Sequence, residues 1–152
     1  MCSSQSPNSF SVIRSLPWGM AARSSTPSPG FDASRLSYSQ VAISQGTTLI
    51  HVAGQAALDL TLQVVGAGDF GRQTRVAFEN LRLALEAAGA APEHVVSLRI
   101  YVVDLDAACI APIQQALDTF FPADAKPPGT LIGVAALAMP GLRIEVEAAA
   151  VL

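Results

Sequence analysis

Charge is scarce in this chain: Asp, Glu, Lys and Arg make up 14% of its 152 residues, and the net charge at neutral pH is −3. The nine basic residues form no cluster. A surface that neutralises phosphates needs such a cluster, so nucleic acid is not an expected partner. Long apolar runs are also missing. None reaches the roughly 18 residues that cross a bilayer, so no membrane span is expected and the chain reads as a soluble, cytoplasmic protein. Cysteine is limited to Cys2 and Cys109, far apart in the sequence. That spacing suggests neither a disulfide framework nor a zinc site, and no metal site is expected. Acidic residues are absent before Asp32.

What is present is aliphatic. Half of the residues are hydrophobic, enough for one compact domain with a sizeable core. Residues 1–30 differ, being rich in Ser and Pro with Arg14 and Arg23 as their only charges. This composition cannot form a core and predicts a disordered or dispensable tail, leaving residues 31–152 as the domain. Two other readings stay open: an organelle transit peptide, or a translation start at Met20.

Alternation over Ser39–Ile43 and a turn at Gln45–Thr47 lead to a strand over Thr48–Gln55, with His51, Ala53 and Gln55 on one face. Leu58–Val65 reads as an irregular link. Asp69 is positioned to cap a helix over Phe70–Ala88, where Val76, Leu81, Leu83, Ala84 and Leu85 recur near helical spacing and Gly89 ends the pattern. Val95–Val103 is a β-branched strand. The Asp104–Asp106 break precedes a second helix over Ala107–Phe121, with Ile110, Ile113, Leu117 and Phe120 at steps of three and four. Pro112 falls near its first turns.

The last third carries two short apolar runs around Pro140-Gly141, both read as strands. In the second run, Arg143, Glu145 and Glu147 share one face, opposite Ile144, Val146 and Ala148. The acids are either a solvated face paired with Arg143 or carboxylates at a cleft. The order β-β-α-β-α-β-β predicts an α+β sheet with two helices on one side. The other sheet face is left uncovered, which predicts a homo-oligomer packing sheet against sheet.

These elements resemble the Rid (YjgF/YER057c/UK114) family, which has a chorismate-mutase-like fold. The resemblance rests on Tyr38-Ser39-Gln40, Val52–Asp59, Gln73-Thr74-Arg75, Asn80-Leu81, Glu86–Ala90, Val95–Asp104, Phe120-Phe121, Lys126-Pro127 and Ile144–Ala148. It implies a homotrimer around a central barrel, with small-molecule clefts between subunits. It further implies cofactor-free hydrolysis of reactive enamines and imines to keto acids and ammonia. By the same resemblance Glu145 handles water and protons. Tyr38, Ala53, Gly54, Gln114, Gly129, Thr130 and Leu131 fall in the substrate-binding cleft.

Two positions depart from that pattern. Gly129 stands where the family's carboxylate-binding arginine is expected, and Ala53 stands where a serine hydroxyl is expected. Losing one partner of a buried charge pair costs about 2–5 kcal/mol, or two to three orders of magnitude in binding. An ordinary 2-imino acid is therefore an unsuitable substrate. Arg99 or Arg143 either reaches the cleft in place of the missing cation or pairs with an acid. His51 either shuttles protons or is a hydrogen-bonded strand residue. Cys109, with no base identifiable beside it, reads as a small apolar helix residue. Two functions follow: an atypical enamine/imine deaminase, or a non-catalytic trimer that binds a metabolite or a protein. A ribonuclease role is disfavoured by the charge balance.

Overall fold

The computed structural model describes residues 21–24, 41–44, 46–123 and 125–152. The elements in chain order are β1 (Ala21–Ser24), β2 (Val41–Ser44), β3 (Leu49–Ala56), α1 (Phe70–Ala87), a 3-10 turn (Pro92–His94), β4 (Val95–Val103), α2 (Ala107–Phe120), β5 (Gly129–Val134) and β6 (Ile144–Val151). The four-stranded sheet runs β3-β6-β4-β5, with β6 antiparallel to both its neighbours and β5 parallel to β4. The helix α2 is the crossover that a parallel pair requires.

Alternation decides which face is which. Along β6, Ile144, Val146, Ala148 and Ala150 are buried under the helices, while Glu145, Glu147 and Ala149 are only half-buried on the open face. On β4, Leu98, Ile100 and Val102 face the core, and Arg99 and Tyr101 lie in register with Glu147 and Glu145. The helix α1 closes the core with Ala77, Phe78, Leu81 and Leu85, the last two fully buried. Each such leucine contributes about 1.5–3 kcal/mol relative to exposure. Leu83, expected on the same stripe, faces outward at 49% exposure, because it lies about 160° round the helix from Leu85. The helix starts where expected: the Asp69 carboxylate accepts the Arg72 N–H at 2.8 Å. Asp106 caps α2 in the same way, accepting from the Ala108 and Cys109 N–H groups.

Two expectations need correction. No element was expected before Ser39, yet Ala21–Ser24 pairs antiparallel with Val41–Ser44 as a separate two-stranded sheet. Strand pairing draws on backbone N–H and C=O groups, which a Ser-rich composition supplies as well as any other. The strand expected at Ser39–Ile43 consequently stands outside the main sheet. The second correction lies in β3, where the β6 register shifts between Val52 and Gln55. This bulge interrupts the period of two, so Gln55 pairs opposite core-facing Val146 and does not share the face of His51.

Candidate functional site

The bulge brings Gly54 against Glu145. A β-carbon on Gly54 would collide with the Glu145 Oε1 and stand 2.6 Å from its Cδ. The carboxylate therefore occupies the space that the glycine leaves. Glu145 is half-buried on the open face, in register with Ala56 on one side and Tyr101 on the other. Next along this face, Arg99 makes an ion pair with Glu147. Burial and a hydrogen bond to Glu147 push the Tyr101 phenol above its ordinary value, so it remains a neutral donor. His51, Ala53, Ser97, Arg99 and Glu147 border an open cavity of about 530 Å³ on this face.

A second cavity, about 190 Å³, lies between α2 and the β4–β5 edge. It brings together Gln114, Gly129, Thr130 and Leu131, four of the residues expected to bind substrate. The remaining lining among the described residues is Leu98, Ile100, Ile110, Ile113, Leu117 and Pro127, none of them ionisable. Gly54 and Glu145 belong to the opposite face of the sheet, and Gly129 is two strands away from β6. The expected site residues therefore fall into two groups within one chain. Tyr38 lies outside the described residues.

The two candidate replacement cations are both committed. Arg99 pairs with Glu147, as the ion-pair reading held. Arg143, expected to pair with an acid, instead donates to the Val103 and Asp104 carbonyls at 3.1–3.2 Å and lies over the Phe70 ring. Asp104 adopts a left-handed backbone there, with φ of 52°, and this turns its carbonyl toward the guanidinium. Cys109 is buried, with its Sγ 3.9 Å from both the Asp104 carbonyl and Arg143 Nη2. The Cys109 thiol and N–H, both directed at Asp106, hold that carboxyl below its ordinary value. His51 lies exposed at the rim of the open-face cavity and is not a core residue. Among the described residues no group of three His, Cys, Asp or Glu could hold a metal ion. No described helix is long and apolar enough to cross a membrane.

Two residues gained importance only with the structure. Tyr101 joins Glu145 and Glu147 through cross-strand register; alternation along β4 signals which face it takes, not its partners. Gln73 is fully buried: its Nε2 donates to the Gly66 and Gly141 carbonyls, and its Oε1 accepts the Arg143 N–H at 2.8 Å. It thereby fixes the start of β6, two residues before Glu145.

The α+β fold, with two helices over a mixed four-stranded sheet, matches solved structures of Rid-type proteins. The family model described as endoribonuclease L-PSP matches residues 32–152. A RutC family protein of Pyrococcus abyssi is 35% identical over 113 residues, covering 74% of this chain and 84% of its own. Among solved structures, a conserved Rid-family protein of unknown function from Yersinia pestis has a TM-score of 0.81 at 33% identity, covering 87% of this chain and 98% of its own. A YjgF/YER057c/UK114 member from Mycobacterium tuberculosis has a TM-score of 0.58 at 30% identity, covering 87% of this chain and 99% of its own. The chain belongs to the YjgF/YER057c/UK114 (Rid) family.

Proposed function

We propose that the protein is a cytoplasmic homotrimer that hydrolyses neutral enamines or imines, without a cofactor, in clefts between subunits. The observation that carries this reading is the division of the site. A carboxylate is seated over Gly54, while the described lining of the cavity at Gly129 is apolar and holds no cation. A second copy packed on the open sheet face would join the Glu145 of one subunit to the Gly129 cavity of the next. With no guanidinium among the described residues that line that cavity, a substrate carboxylate would lose its hydration without an ion-pair partner, so a neutral substrate is favoured.

The chemistry needs one acid/base. An enamine takes a proton from solvent at its β-carbon and becomes the iminium ion. Glu145 accepts a proton from water as the oxygen bonds to the iminium carbon, which gives the neutral carbinolamine. Glu145 then returns that proton to nitrogen, the C–N bond breaks as the hydroxyl oxygen forms the C=O bond, ammonia leaves, and the hydroxyl proton passes to solvent. Gln114 and Thr130 supply hydrogen bonds to the uncharged nitrogen and oxygen.

A non-catalytic trimer that binds a small metabolite or a protein is the second reading, favoured by the apolar lining and by the missing hydroxyl at Ala53. The family model's ribonuclease description finds no support in the charge, which is −3.

The test measures ammonia release from a neutral imine, generated in place from isoamylamine by an amine oxidase, beside 2-iminobutanoate generated from the amino acid. Wild type should accelerate release from the neutral imine, and Glu145→Ala should abolish the acceleration. Gly129→Arg should shift the preference to 2-iminobutanoate. Inertness of wild type on both substrates, with no gain in Gly129→Arg, would establish the binding role instead.

A further inference from the structure

The helix layer carries a cavity that shares no lining with either half of the site above. It is a groove of about 520 Å³ between α1 and α2 on the side away from the sheet, within the size range of small-molecule sites. Its floor is aromatic and fixed: Phe120 stands edge-on to Phe78, with centroids 5.3 Å apart, and to Phe121 at 4.8 Å. Pro92 and Pro112 add rigid apolar walls. A floor locked in this way loses little side-chain freedom when it is covered.

The rim is polar and unequally committed. Arg82 is held by both Glu79 and Glu86 in exposed ion pairs. Arg75, one helical turn before Glu79, has no carboxylate partner among the described residues. A β-carbon on Gly71 would stand 3.8 Å from Arg75 Nη1, so the guanidinium lies along the small-residue end of the groove. One guanidinium therefore remains to pair with an incoming anion, while Glu79 would repel a second negative charge one turn away.

We propose that the α1–α2 groove is a second ligand site, for a planar aromatic monocarboxylate whose rings lie on the Phe120 floor and whose carboxylate pairs with Arg75. The proposal does not depend on the deaminase reading, because neither Glu145 nor Gly129 borders the groove.

The probes are 2-naphthoate and its uncharged analogue 2-naphthamide, titrated into the full-length protein by calorimetry and by amide chemical-shift mapping. Naphthoate should bind with shifts confined to α1 and α2, at least tenfold more tightly than the amide. Arg75→Gln should weaken naphthoate binding at least tenfold and leave the amide unchanged. Arg72→Gln, which changes an exposed arginine outside the groove, should leave both unchanged. Gln115→Trp, an exposed substitution that fills the groove, should abolish both while the fold signature persists. Absence of naphthoate binding at millimolar concentration would overturn the proposal. So would equal affinity in Arg75→Gln, or shifts centred on β3 and β6.

Discussion

Gly54 and Glu145 compete for one volume, and the glycine yields it. Gly54→Ala should push the carboxylate aside, lowering turnover in the ammonia-release assay at least tenfold while the thermal midpoint moves by only a few degrees. Paired rate and melting measurements separate the two effects. A titration effect is expected at Asp106. Its folded pKa is depressed from about 3.8, so its stabilisation is complete above that value and is lost as pH falls below it toward the depressed one. Asp106→Asn keeps a capping oxygen but does not titrate, so its melting temperature should fall less steeply over this acid range than that of wild type. The strand face of Glu145 was legible in the alternation of the last strand, while the role proposed for it came from the family resemblance. Tyr101 was not legible, because what sets it apart is register with a strand more than 40 residues away, and single-strand alternation does not report register.

The element boundaries depend on local chemistry, and that chemistry was readable. Asp69 at the start of α1 and Asp106 at the start of α2 each sit one residue before a periodic run, and both accept the N–H groups expected of a cap. Asp69→Ala should cost about 1 kcal/mol in urea unfolding. Gln73 joins elements rather than starting one. Gln73→Leu would leave the buried Gly141 carbonyl and the Arg143 N–H without their partner, while the Gly66 carbonyl keeps the Asp69 N–H, at about 3 kcal/mol. Equilibrium unfolding of the two variants should therefore rank Gln73→Leu well below Asp69→Ala. The β1–β2 pairing and the β3 bulge escaped the sequence for a common reason. Both arise from backbone geometry, and side-chain pattern carries little record of either.

At the scale of the molecule, one face of the sheet lies open with Arg99, Glu147 and His51 around a cavity, and the proposed assembly covers it with further copies. Sedimentation equilibrium should then give a mass three times that of the 15.7 kDa chain. Ala149→Arg, which projects bulk and charge from the middle of that face, should shift the species toward monomer. The uncovered face followed from counting two helices against one sheet, and the helix-side layer was legible for the same reason. The strand order has a further consequence. β6 is the latest strand in the sequence, yet it lies between β3 and β4 and pairs with both. During synthesis β3 therefore has no neighbour among the described strands of the main sheet until Ile144–Val151 is made, and β4 can pair only with β5. The molecule must hold its earlier parts in waiting, and any nascent chain halted before Ile144 would expose two unpaired strand edges to whatever else is folding nearby.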